Sequence, residues 1–154
     1  MRAGAIIYPI LSSFSNLTSL VAASNIFAVR ASQGTNAPYI VYREISNTPT
    51  NTKGTGDGTA DPKINQRSIL DVSTIQISIF ANTYLELDNI AVAVRQALDR
   101  EWGSVPSPYN TDISLDSCIF DSMVDDYDDD FGDHGIYIKH MDFTLRINRI
   151  NISN

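Results

Sequence analysis

The ten residues Val72–Ala81 set Ile75, Ile77, Ile79 and Ala81 against Thr74, Gln76, Ser78 and Phe80, an alternation of period two that only a strand with two distinct faces satisfies. Thr83-Tyr84-Leu85-Glu86 follows immediately and reads as a capping box, in which the threonine hydroxyl and the glutamate carboxylate satisfy two backbone amides that a helix start leaves unpaired. Beyond it Tyr84, Leu87, Ala91, Val94 and Leu98 recur at three- and four-residue steps. Glu86 and Asp88 stand early, Arg95 and Arg100 late, and Gly103 lies past the expected end. A strand feeding directly into such a helix predicts a sheet with this helix laid against it.

The remaining segments extend that plan. Ile6, Ile7, Ile10, Leu11 and Phe14 predict a helix over 3–13, with a turn at Leu17–Val21, and Pro9 requires a first-turn position or a kink because it has no amide to donate. Asn25 to Tyr42 reads as a short apolar step, a polar turn closed by Ala37-Pro38, and the start of a strand led by Tyr39 that runs from 38 to 46. Residues 47–68 hold two prolines, three glycines and almost no apolar side chains, which predicts a long flexible loop and a candidate contact element. A connector at 103–112, a strand over 113–124, an acidic turn over 125–135 and a last strand over 136–150 complete the order. The expected fold is α+β, a mostly antiparallel sheet of about four strands with an N-terminal helix and one main helix packed on one face, built as a single domain over 1–154.

Bulk chemistry narrows the function classes. Eighteen acidic against 11 basic residues give a formal charge of -7, and the basic residues are scattered, so phosphate backbones and anionic lipid surfaces are repelled. One cysteine, Cys118, permits neither an internal disulfide nor a cysteine-built zinc site. The first residues superficially resemble a secretion leader, but Gly4 and Pro9 interrupt the apolar run and Ser12, Ser13, Ser15 and Asn16 end it. No run approaches the ~20 apolar residues of a membrane helix, so a soluble product is expected.

Motifs that would carry catalysis are missing from the chain. Six aspartates between Asp125 and Asp133 offer hard oxygen ligands, yet the spacing of a calcium-binding loop and its closing glutamate are absent, and a solvated hairpin tip explains them better. Gly54-Thr55-Gly56-Asp57-Gly58 opens no helix and lacks the lysine of a phosphate loop. His134 and His140 read as a turn and a sheet position, and Cys118, between Ser117 and Ile119, reads as a buried, inert thiol. A non-enzymatic protein without cofactor or metal is expected, with an enzyme or a calcium-binding module as the remote alternative.

Order and spacing, more than any single motif, resemble the tail completion or tail terminator family of tailed bacteriophages. The resemblance runs through Leu17–Val21, Asn25-Ile26-Phe27, Ala31–Thr35 and Pro38–Tyr42. It continues through Ile75–Ala81 into Thr83-Tyr84, Ala91–Leu98, Tyr127-Asp128-Asp129, Gly135-Ile136-Tyr137 and Asp142–Leu145. The resemblance implies a virion protein made in the host cytoplasm, which caps the tail tube as a ring, usually a hexamer, and forms the joint to the neck of the head. Its implied partners are itself, the tail tube protein and a neck or head-completion protein, with DNA only as cargo passing through an acidic lumen. Head closure or a minor tail component is the neighbouring alternative. Lys53, Asp57, Lys63 and Arg67 on the long loop and Asp126, Asp128, Asp129 and Asp130 at the acidic turn are the candidate assembly contacts.

Overall fold

A computed structural model describes residues 2–50, 70–105, 113–131 and 134–148. Helix α1 spans Arg2–Ser13, the one-turn helix α2 spans Ser15–Thr18, and the main helix α3 spans Tyr84–Leu98. The strands are β1 (Ile26–Ala28), β2 (Tyr39–Pro49), β3 (Leu70–Ala81), β4 (Gly103–Val105), β5 (Ile113–Asp128) and β6 (Ile136–Asn148). They form one sheet in the order β1-β2-β3-β6-β5-β4, curled into a half-barrel. All neighbours are antiparallel except β1 and β2, which pair in parallel with Ile26 opposite Ile40.

The α+β class, the N-terminal helix and the main helix agree with expectation, whereas the sheet is mixed and has six strands rather than about four. The two additional strands, β1 and β4, have three residues each. A period of two cannot declare itself over three residues, and each strand exists because a longer neighbour offers its edge. Strand β2 also runs three residues past Ser46, through part of the expected loop, with Asn47, Thr48 and Pro49 opposite Ser73, Val72 and Asp71. Its polar end is held by Asn47 Nδ2 donating to Ser73 Oγ at 2.7 Å and Thr50 N to the Leu70 carbonyl at 2.9 Å. Likewise β5 continues through Asp125–Asp128, where a turn was expected.

The core lies between the helices and one face of the sheet. Ile75, Ile77 and Ile79 of β3 and Met141, Phe143 and Leu145 of β6 are fully buried beneath Leu87, Ile90, Val94 and Leu98 of α3. Ala3, Ile6, Ile7, Ile10 and Leu11 bury the matching stripe of α1, with Pro9 inside the helix. That interior position leaves the Ala5 carbonyl without its usual donor four residues on. The cap of α3 forms with one difference. Thr83 Oγ1 accepts from Glu86 N at 3.2 Å, but Glu86 Oε1 reaches back to Asn82 N, one residue before the cap. At the other end Arg100, next to the cap residue Asp99, takes the left-handed conformation (φ 68°) that turns the chain out of the helix, and Gly103 follows with a positive φ of its own, 112°.

A second, smaller cluster sits on the opposite face, where Tyr39, Ile136 and Ile138 are covered by Phe27, Ala31, Ala37 and Phe80. Tyr39 stacks on Phe80 with ring centroids 4.5 Å apart, and Phe27 meets Tyr39 edge-on at 6.4 Å. The segment between β1 and β2 thus folds over the outer sheet face, turning at Gly34 (φ 80°) where Thr35 N bonds the Ser32 carbonyl.

Candidate assembly surfaces

The hairpin of β5 and β6, over residues 113–148, carries nine of the 18 acidic residues. Lys139 lies on the inner face of β6 with a side chain only 6% exposed, and its Nζ sits 2.9 Å from Asp88 Oδ1 and 3.0 Å from Asp125 Oδ1. Tyr84 Oη donates to Asp125 Oδ2 at 2.8 Å, so helix α3 and both hairpin strands share one ionic knot. Lys139 hydrogen bonds and Tyr84 together hold Asp125 below the usual carboxylate range. Burial opposes the charge of Lys139, but the paired carboxylates outweigh it and its pKa is raised.

Past that knot the strands are braced by aromatics. Tyr127 packs on Tyr137 with centroids 4.9 Å apart and donates its hydroxyl to the His134 carbonyl at 2.9 Å. Gly135 passes beneath it with φ 71°, so close that a Cβ there would lie 2.3 Å from Tyr127 Oη. A glycine is required at that point for both conformation and space.

Of the candidate contacts, Asp126 and Asp128 stand on the last turns of strand β5, and Asp129 and Asp130 form the turn. The structure brings these four together on one hairpin. Asp126 Oδ1 accepts from Tyr127 N at 2.8 Å and Asp128 Oδ1 from Asp130 N at 3.0 Å, so two of the four carboxylates already order their own backbone. Lys53, Asp57, Lys63 and Arg67 lie outside the described residues.

Among the described residues both sheet edges are open over much of their length. Strand β4 covers β5 only at Ile113–Leu115, and the turn after α3 covers a little more, through Arg100 N to the Cys118 carbonyl and Phe120 N to Asp99 Oδ1. From Asp121 to Asp128 no described strand lies on that side. Met123, Val124 and Tyr127 are exposed there, with Val124 at 63%. On the other side β1 covers β2 only at Ile40–Tyr42. From Arg43 to Pro49 that edge is open among the described residues, and its apolar residues Val29, at 72%, and Ile45 are exposed beside Arg30 and Arg43. The sequence pattern does not announce these residues: Ile45 continues the alternation of Tyr39, Val41 and Arg43, and a bulge between Glu44 and Ser46 turns it out.

Beside the cluster around Tyr39, the outer sheet face carries a polar stretch. Arg43 donates to Gln76 Oε1 at 2.9 Å, Gln76 Nε2 lies 3.4 Å from Asp142 Oδ1, and Ser78 Oγ meets His140 Nδ1 at 2.8 Å. Cys118 is buried, and desolvation, with Asp99, Glu101 and Asp121 nearby, pushes its thiol up to about 12. The cleft between the end of α1 and β4 is lined by one ionisable residue, Glu101, among Pro9, Ile10, Phe14, Ala97 and Val105. Among the described residues no three histidine, cysteine, aspartate or glutamate side chains converge on a metal-sized site.

No curated protein sequence matches the chain. Among solved structures it is similar to a chain of the virion of a native gene transfer agent particle, with 16% identity, a TM-score of 0.66, and coverage of 94% of this chain and 93% of that one. At that identity the likeness establishes a shared fold. The family model for tail completion protein gp17 matches residues 6–131, from the buried stripe of α1 to the tip of the acidic hairpin, and thus takes in both sheet edges and the helix capped at Thr83. This chain therefore belongs to the tail completion protein gp17 family, a structural, non-enzymatic family of phage-like virion tails.

Proposed function

We propose that this tail completion protein ends tail growth by capping the head-proximal end of the tail tube as a closed ring, a hexamer, and that the ring forms the joint to the neck. The family match over residues 6–131 carries this reading. Physical features support it. A ring needs two different patches on each subunit, and a sheet with two open, chemically unlike edges supplies them. Stopping polymerisation needs one ring face that fits the tube and another that does not, a matter of shape and charge rather than catalysis.

In this reading the partners are further copies of the chain, the tail tube protein and a neck or head-completion protein. The acidic hairpin with Asp126, Asp128, Asp129 and Asp130, and the segment bearing Lys53, Asp57, Lys63 and Arg67, are its contacts to those partners. A net charge of -7 per subunit, repeated around the ring, repels passing DNA from the lumen wall. Mass photometry and negative-stain microscopy of the purified protein, alone and with tail tube protein, test the reading. Rings that shorten or arrest growing tubes are expected; tubes that grow to the same lengths with and without the protein would refute it.

A further inference from the structure

We infer that copies of this chain join head to tail through opposite edges of the sheet, with the β1–β2 edge of one copy seated on the β5 edge of the next. This deepens the ring reading and rests on it. Four independent observations carry it.

The first is backbone. Strand β5 from Asp121 to Asp128 and, on the far side, β1 with the stretch of β2 that begins at Arg43 form edges that no described strand covers. Open edges are templates for pairing with another chain. Direction also fits: three successive antiparallel pairings, β2 with β3, β3 with β6 and β6 with β5, leave β2 and β5 running in opposite senses. A copy rotated about an axis roughly along the strands therefore brings its β1–β2 edge to β5 of its neighbour in the antiparallel sense, with Val29, bonded to Tyr42, level with Met123.

The second is apolar surface. Val29 and Ile45 are exposed at one edge, Met123 and Val124 at the other. The third is charge. Arg30 and Arg43 are exposed beside the first pair, and the one acidic residue on that stretch of β2, Glu44, accepts from Ser73 Oγ at 3.0 Å on the core side. Asp121, Asp126 and Asp128 line the other edge, with Asp125 beside them paired to Lys139. A two-fold contact of β5 edge with β5 edge would set aspartates against aspartates, and one of β2 with β2 would oppose arginines. Only the unlike edges attract, which selects a second copy in a heterologous contact.

The fourth is strain. Val29 has φ 68°, a conformation that β-branched residues avoid, and is held in a tight turn by Val29 N to the Tyr42 carbonyl at 2.8 Å and Arg30 N to the Ala28 carbonyl at 2.7 Å. The turn holds Val29 in solvent, so the main core draws nothing from it. Strain retained without a packing reward points to a contact made outside the subunit.

Cysteine pairing and charge reversal test the contact in the full-length chain, where the native thiol Cys118 is buried. Chains carrying Val29→Cys and chains carrying Val124→Cys are mixed and mildly oxidised. The expected result is a cross-linked pair only in the mixture, and a ladder of multimers when one chain carries both changes. In parallel, Arg30→Asp with Arg43→Asp, or Asp126→Arg with Asp128→Arg, weakens self-association by roughly tenfold or more, and mixing the two variants restores it. Unchanged melting curves confirm that these exposed substitutions leave the subunit folded. Rings that persist under charge reversal without cross-linking overturn the edge contact and leave the ring reading standing. A Val124→Cys chain that pairs with itself overturns the head-to-tail arrangement. Cross-linking to tail tube protein instead of a second copy also overturns it. A chain that stays monomeric at high concentration and on tail tubes, without cross-links, removes both readings.

Discussion

Lys139 provides the sharpest test of how the hairpin is fixed to the main helix. Its ammonium is 6% exposed while Asp88 and Asp125 are 47% and 45% exposed, so the two halves of the ionic knot are unequally desolvated. Removing the lysine by Lys139→Met leaves carboxylates that water can reach, and a methionine fills the same channel beside Met123; a loss of about 1 kcal/mol is expected. Removing the charge of both carboxylates, by Asp88→Asn with Asp125→Asn, leaves a buried ammonium without a counter-charge, for which about 3 kcal/mol is expected. In urea, with a slope of about 2 kcal/mol/M, the two variants should differ in midpoint by about 1 M. The direction of the pKa shifts adds a second reading. Asp125 is held below 3.8, so its contribution is present above that pH and is lost as pH falls through its lower folded value. Lys139 is raised above 10.5, so its contribution is complete below that pH and is lost only as pH rises through its higher folded value. Wild type should therefore lose this contribution at both extremes, whereas Lys139→Met should lack the alkaline loss and keep only the part of the acid loss that the Tyr84 hydrogen bond to Asp125 supplies. A double-amide variant as stable as Lys139→Met at pH 7 would refute the argument that desolvation of the lysine governs the knot.

Three further outcomes follow from single contacts. Thr83→Ala removes the acceptor for Glu86 N and should lower stability by about 1 kcal/mol by urea unfolding, with Thr83→Ser close to wild type. Gly135→Ala places a methyl group against Tyr127 in a left-handed conformation; about 2 kcal/mol is expected, together with faster amide exchange at the hairpin tip. Cys118, with its thiol pushed up to about 12 and no solvent access, should resist alkylation at pH 8 in the native state and react fully in denaturant; rapid native labelling would contradict its burial.

Local pattern made some elements legible and hid others. The long strands β3 and β6 and the helix α3 declare themselves because many residues repeat one period and a cap fixes the start. Tyr84 has the spacing of a core residue, yet it lies 48% exposed. It stands at the helix end, where the sheet below supplies Asp125 and an aromatic edge instead of an apolar floor. The aspartates at 125–128 suggest a turn by composition, but pairing with β6 from Lys139 to Ile136 holds them in a strand. Backbone hydrogen bonds across a hairpin do not depend on side-chain polarity when one side faces water. Of the candidate contacts, the four aspartates do cluster on one hairpin, while Val29, Ile45, Met123 and Val124 could not be found, since exposure at a sheet edge depends on which strands fail to cover it.

By itself the sequence determined the main helix, the N-terminal helix and the body of the four long strands, the α+β class, the inert cysteine and the acidic balance, because each follows from residue type and near-neighbour spacing. It also carried the order of segments by which the family is recognised. Only the tertiary structure decided the strand order, the parallel β1, the burial of Lys139 between two carboxylates, and the unlike chemistry of the two open edges. Those depend on residues brought together from 14 to 66 positions apart, as Ile26 with Ile40 and Gln76 with Asp142. Periodicity reports which face of a segment is apolar; it is silent on which other segment that face will meet.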